Sequence, residues 1–204
     1  MRLIGTRWRA VIIGYPWPVA ARLFAERGYE HTSVIEIARA AEVSEQTVCN
    51  HFPVKRDLVL DRDAEVRARL VAAVRDHAPG TPLAAAIRDE ALALADYARS
   101  MASEELRGAI GHLSVRSPEV RRLALESTDR LADALAEAIT ATTDPPPPSA
   151  AVAKLRGMTL AWISQTVIDE SGRLIRAGHG PAEVADRLRE TVTALLDELT
   201  PHGW

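Results

Sequence analysis

TSVIEIARAAEVSEQTVCNHF, residues 32–52, decides the fold of this 204-residue chain. Thr32 or Ser33 caps a helix from Val34 to Ala41, with Glu36 at capping-box distance from Ser33. Glu42-Val43 is a minimal turn. Ser44 then caps another helix, with Thr47 at the complementary position, running to about His51. Ile37, Ala38, Val43 and Val48 are spaced to share a small core, and the small Ala38 and Ala41 let the two helices approach closely. Helix, three-residue turn, short helix is a helix-turn-helix. The outward face of the second helix is polar: Glu45, Gln46, Thr47, Asn50 and His51. In a major groove, Gln and Asn pair bidentately with adenine and hydroxyls bind phosphates. The helix N-termini at Ser33 and Ser44 offer backbone N–H groups to phosphate oxygens. Lys55, just past the helix, is placed to anchor the backbone. The alternative is a merely solvated face; the short helix, tight turn and polar surface together count against it.

Upstream, Val19 to Arg27 reads as a helix stopped by Gly28. Before it stands Gly14-Tyr15-Pro16-Trp17-Pro18. A proline inside a helix costs about 3 kcal/mol. Residues 1–17 are therefore expected not to extend this helix and to be irregular or a separate short segment.

Downstream, apolar residues recur at three and four spacing almost throughout, and alternating strand patterns are nearly absent. From Ala64, Val66, Leu70 and Val74 mark one helical face, which stops at Pro79-Gly80. A second helix is expected from about Pro82 to Met101, and a short third after Ser103 as its cap. Ser117-Pro118-Glu119 opens a long helix with Val120, Leu123, Leu131, Leu135 and Ile139 on one face. Pro145 to Pro148 form a loop. Ala150 to about Arg176 and Pro181 to Leu199 are the last two helices, the latter with Val184, Leu188, Val192, Leu195 and Leu199 on one stripe. The expected class is all-α: a three-helix head over residues 1–60, with 1–17 atypical, and a helical body over 61–204.

Composition agrees with a folded interior protein. Apolar residues make up 47% of the chain and charged residues 26%, enough apolar surface for a real core. No apolar run reaches the roughly 20 residues of a membrane span. The patch Ala10 to Ile13 is too short for a signal-peptide core. A lone cysteine, Cys49, excludes an internal disulfide framework, so a cytoplasmic location is expected. Residues 1–60 carry eight Lys/Arg and six Asp/Glu, a net +2 against −5 for the remainder. Six histidines (31, 51, 77, 112, 179, 202) never fall at metal-ligand spacing on one helix, and no HExxH, GxSxG or paired-cysteine pattern occurs. Neither an enzyme nor a cofactor is expected. His77 and His202, near helix ends, read as surface groups on the C-terminal dipole.

Leu23-Phe24-Ala25-Glu26-Arg27-Gly28-Tyr29, followed by Thr32-Ser33-Val34, Ile37-Ala38, Ala41, Val43-Ser44, Thr47-Val48, His51-Phe52 and Lys55-Arg56-Asp57-Leu58, resembles the DNA-binding domain of TetR-family transcriptional regulators. The resemblance implies a homodimer whose heads bind a double-stranded operator and whose bodies bind a small-molecule inducer. By position, Ser33, Ser44, Gln46, Thr47, Asn50, His51 and Lys55 match DNA-contact positions. Two residues depart from the pattern. Cys49 stands where the family usually has a phosphate-reaching Tyr. Glu42 stands where the turn usually has Gly, which suggests an altered turn or a strained φ. The layout around Gly108 to Leu125 is similar to members that sense acyl-CoA-like ligands.

In the body, Tyr97, Met101, Met158, Trp162 and Gln165 are candidates for an apolar pocket with a polar anchor. His112 is a candidate ligand contact, against the alternative of a core histidine. Helices 150–176 and 181–199 are expected to form a four-helix dimer interface. A ligand would alter the helix beginning near Leu58 and so the spacing of the recognition helices, about 34–36 Å on one duplex. The competing reading, given Cys49 and the interrupted first helix, is a helical ligand-binding or interaction protein with impaired DNA binding.

Overall fold

The computed structural model describes residues 16–200, and all regular structure among them is helical. The order is α1 (Pro16–Arg27), α2 (Val34–Ala40), α3 (Glu45–His51), α4 (Arg56–Val59), α5 (Asp63–Arg75), α6 (Leu83–Ala86), α7 (Arg88–Asp96), a 3₁₀ turn (Tyr97–Ser100), α8 (Ser103–Arg107), α9 (Ile110–Arg116), α10 (Pro118–Thr142), α11 (Ala150–Arg176) and α12 (Pro181–Leu199).

The start of α1 corrects the sequence expectation. Pro16 and Trp17 are helical, and Pro16 and Pro18 fall in the first turn. The N–H groups there have no intrahelical acceptor, so two prolines open the helix instead of breaking it. Residues 1–15 of the expected irregular segment lie outside the described residues. Gly28 ends the helix at φ +86°, and its N–H donates to the Phe24 carbonyl at 2.9 Å.

Two apolar clusters organise the molecule. Ala20, Leu23 and Phe24 of α1 pack with Tyr29, Ile37, Ala38, Val48, Phe52 and Leu58. Leu113 of α9 and Val120 and Leu123 of α10 complete that cluster, so the head does not close on itself. Trp17 and Ala21 of α1 join the larger cluster built from α5 to α12. A single helix thus contributes to both clusters. Each fully buried Leu or Ile contributes on the order of 1.5–3 kcal/mol by leaving water.

Within the body, α10 and α11 run antiparallel in close contact. A Cβ at Gly157 of α11 would sit 2.3 Å from the Ala132 carbonyl oxygen of α10. Helix α9 crosses α11 as tightly, at Gly111 against Gly172.

The helix expected from Pro82 to Met101 is interrupted. At Ile87 the backbone turns to φ −91°, ψ −1°, and the chain tightens to 3₁₀ at Tyr97–Ser100. Ala102, not Ser103, precedes α8, and its N–H donates to the Glu105 carboxylate at 2.9 Å. On α12 the buried line is Val184, Leu188, Val192 and Leu196; Leu195 is half-buried beside it. The helix expected to open at Ser117 does so, with the Ser117 hydroxyl accepting from Val120 N–H, and the Ser149 hydroxyl likewise accepts from Val152 N–H to cap α11.

Candidate nucleic-acid interface and body cavity

Helices α2 and α3 are fixed by their caps. The Ser33 hydroxyl accepts from Glu36 N–H at 3.2 Å, and Glu36 accepts from Ser33 N–H at 2.8 Å, a complete capping box. Donation to its carboxylate by the Ser33 N–H and by the Ser33 hydroxyl, each at 2.8 Å, with Arg27 at 3.0 Å, holds the Glu36 carboxyl below the usual carboxylate range. The Ser44 hydroxyl accepts from Thr47 N–H at 3.1 Å. Between the helices the chain reverses through Glu42 at φ +56°, the left-handed conformation the sequence pointed to. Val43 N–H then donates to the Ala38 carbonyl at 3.1 Å, closing the turn.

This geometry turns α3 outward. Val48 is buried against Ile37 and Ala38, while Glu45, Gln46, Cys49, Asn50 and His51 are exposed. Gln46 Nε2 donates to Asn50 Oδ1 at 2.8 Å, so the two amides form a pair one helical turn apart. Thr47 is half-buried, and its hydroxyl lies 2.7 Å from that of Ser44. Lys55 behaves differently from its expected role as a free backbone anchor. Its ammonium donates to the Tyr29 carbonyl at 2.9 Å and lies 4.1 Å from the centre of the Tyr29 ring. Tyr29, which sequence reading passed over, is thus a hub: it also packs on Phe24, with ring centroids 5.5 Å apart. Burial, with Glu119 and Glu30 nearby, pushes its phenol up to about 12.

A cavity of about 170 Å³, partly open to solvent, lies in the body at its junction with the head. Its wall takes Trp17 from α1, Val59 to Asp63 from the α4–α5 connection, Tyr97 and Met101, Leu106 to Gly111 in part, Thr128 and Leu131 from α10, and Ser164 and Val167 from α11. Of the residues expected in a pocket, Tyr97 and Met101 line this one. Arg62 lies over the Tyr97 ring, 3.8 Å from its centre, and burial raises the Tyr97 phenol pKa against the pull of Arg62.

The other candidates lie elsewhere. Met158 and Trp162 are 41% and 47% exposed on the outer side of α11, because its inner side is filled by Leu160, Ile163 and Val167. Gln165 is fully buried behind the wall: its Oε1 accepts from Thr128 at 2.8 Å and its Nε2 donates to Asp169 at 2.8 Å. His112 is buried between helices and is not part of the lining; burial and the positive charges of Arg116, Arg107 and Arg176 lower its pKa. His77 bonds the Val74 carbonyl through Nδ1 at 2.5 Å, and His202 lies outside the described residues. Trp17, Arg62 and Thr128 were missed. The signal for Trp17 was its spacing of three, four and seven residues to Ala20, Ala21 and Phe24, which extends the apolar face of α1 over two turns. Among the described residues, no group of three or more metal-ligating side chains is assembled.

Residues 19–61 match the family model described as bacterial regulatory proteins, tetR family. No curated protein matches the chain. Among solved structures, SCO4454 from Streptomyces coelicolor, a TetR-family transcriptional regulator, is 19% identical with a TM-score of 0.50, over 91% of this chain and 94% of that one. PfmR from Thermus thermophilus, a TetR-family transcriptional regulator, is 23% identical with a TM-score of 0.45, over 89% and 97%. GusR of Salmonella enterica is 22% identical with a TM-score of 0.46, over 89% and 94%. The first of these likenesses bears on the fold, an all-α arrangement of head and body. Residues 19–61 thus match the tetR-family model of bacterial regulatory proteins, and the likeness to SCO4454 supports the all-α arrangement of the chain as a whole.

Proposed function

We propose that the chain is a dimeric, ligand-responsive transcriptional regulator, a repressor that a small molecule in the body releases from its operator. Residues 1–60 serve as the DNA-binding head and 61–204 as the ligand-binding and dimerisation body. The protein works in the cytoplasm, where its operator lies. Among the described residues no helix is long and apolar enough to cross a membrane.

One observation carries the reading: the exposed Gln46–Asn50 amide pair on α3, held outward by two capped helices and a closed turn. Amide side chains so placed suit base edges, with Thr47 and His51 beside them and the N-termini at Ser33 and Ser44 toward phosphates. Glu45, in the first turn of α3, suits a cytosine amino group. Lys55 holds the head together through Tyr29 and adds positive potential near the backbone.

The stripe of Leu155, Met158 and Trp162, 56%, 41% and 47% exposed, supports pairing of two bodies through α11, with α12 alongside. The cavity supports release. Its wall includes both Trp17 of the head and the α4–α5 connection, so a ligand that prefers one setting of these elements shifts the separation of the paired recognition helices.

A gel-shift titration against DNA from the gene's own upstream region tests the reading. Specific binding weakens steeply with salt as counterions leave the phosphates. Asn50→Ala relaxes discrimination between operator and unrelated DNA, by roughly 1–3 kcal/mol. Lys55→Ala lowers affinity for both alike. Salt-insensitive, sequence-blind binding would instead favour a helical ligand-binding protein with impaired DNA contact, the reading to which the exposed Cys49 points.

A further inference from the structure

We infer that the cavity at the head–body junction takes a small, uncharged, ring-sized apolar molecule carrying at most one hydroxyl, a phenol-like compound and not an acyl thioester or a carboxylate. The inference rests on the reading of this cavity as the effector site. Size is the first argument. A cavity of about 150 Å³ lined by aliphatic and aromatic side chains holds one benzene. The space here is about 170 Å³ and partly open to solvent, so one substituted ring fills it, and the bulk and phosphates of an acyl-CoA would have to lie outside its mouth.

Charge is the second argument. Four charged residues reach the wall, Asp61, Arg62, Asp63 and Arg67, and their formal charges cancel. Each is already engaged. Arg67 pairs with Asp63 at 2.6 Å, and Asp63 also accepts from the Ser127 hydroxyl. Arg62 covers the Tyr97 ring and faces Glu65 at 3.6 Å. Asp61 has an interaction of its own. A carboxylate or phosphate entering the cavity would have to break one of these pairs, at a cost its own pairing would only offset. A neutral ring needs no such exchange. Trp17, Met101, Leu131 and Val167 offer it apolar and thioether contact.

The third argument concerns the hydroxyl. Thr128 on the wall donates to Gln165 Oε1 at 2.8 Å and lies 3.0 Å from the Ala124 carbonyl. Its proton is committed, so toward a ligand its oxygen acts as an acceptor. A phenolic O–H matches that acceptor; a carbonyl or ether does not.

Calorimetric titration of the full-length protein, without DNA, with toluene, p-cresol, benzoate and octanoyl-CoA tests this. Toluene and p-cresol are expected to bind saturably, with Kd below about 1 mM, and p-cresol several-fold more tightly. Benzoate and octanoyl-CoA are expected to bind at least tenfold more weakly. Thr128→Val should abolish the advantage of p-cresol while keeping toluene, and Thr128→Ser should restore it. Ala98→Leu, which places three further carbons in the space, should weaken both rings at least tenfold. Tighter binding of benzoate or octanoyl-CoA than of either ring overturns the proposal, as does an advantage of p-cresol that survives Thr128→Val. Operator release is read separately by anisotropy of labelled DNA. Rings that bind without releasing DNA leave the ligand class standing and count against the regulatory reading alone.

Discussion

Glu42 bears a local cost that its position explains. At φ +56° an L-residue with a Cβ is disfavoured by about 1–2 kcal/mol, and only glycine adopts this conformation freely. The side chain is exposed, and no hydrogen bond or ion pair among the described residues compensates it. Glu42→Gly is therefore expected to stabilise the protein. Part of the relief is offset by the greater freedom of glycine in the unfolded chain, leaving about 0.5–1 kcal/mol. In a thermal melt that is a rise of roughly 1–4 °C for a chain of this size. A lower melting temperature would show that the turn is held by the glutamate and not strained by it. The same residue illustrates what one position can reveal in advance. Because Glu42 stands where the family resemblance expects Gly, an altered turn or a strained φ was expected there, and the positive φ is the second of these. The engagement of Lys55 was not legible in this way, because its partner Tyr29 lies 26 positions earlier and no spacing rule connects them.

Ser117 ties an element to its neighbour. Its hydroxyl accepts from Val120 N–H at 3.1 Å, capping α10, and donates to the Glu30 carboxylate beyond α1. The side chain is almost fully buried, so Ser117→Ala leaves a helix end uncapped and removes a bridge between head and body. A loss of about 1–2 kcal/mol at neutral pH is expected by chemical denaturation. The pH dependence has a definite sign. The Ser117 hydroxyl, as its main cause, holds the Glu30 carboxyl below its ordinary value of 4.5. A carboxyl depressed in the folded state stabilises it above the unfolded pKa, and that contribution fades as pH falls through the folded value. The gap between wild type and Ser117→Ala should therefore narrow below about pH 4, while the capping part persists. A gap that is constant from pH 7 to pH 3 would remove Glu30 from the account. At this scale, elements with explicit punctuation were readable: Pro145 to Pro148 before α11, Pro181 at the start of α12 and Ser117-Pro118 before α10 all mark boundaries. The interruption at Ile87 was not, since neither glycine nor proline stands there and tertiary packing alone bends the helix.

The arrangement of the whole molecule depends on which side of α11 meets its own core. The helix carries two apolar lines. Leu160, Ile163, Val167 and Leu174 are buried, whereas Leu155, Met158 and Trp162 are exposed. Helical periodicity identifies both but cannot rank them, which is why Met158 and Trp162 looked like cavity residues. The cavity itself is assembled from elements scattered along the chain from α1 to α12, and no local pattern announces it. An outward line of three large apolar side chains on one long helix is unfavourable for an isolated protomer and favours burial against a second copy. Trp162→Arg places a charge at one end of that line without touching the protomer's own packing. In sedimentation velocity at micromolar concentration, wild type is expected as a dimer and the variant mainly as a monomer, with at least a tenfold weaker association. Helical content should be unchanged, because Trp162 lies outside both apolar clusters. Operator affinity should fall together with dimerisation, since each head alone then loses the effective concentration supplied by its twin. A variant that stays dimeric would move the interface away from α11, and with it the pairing geometry on which the spacing of the two recognition helices depends.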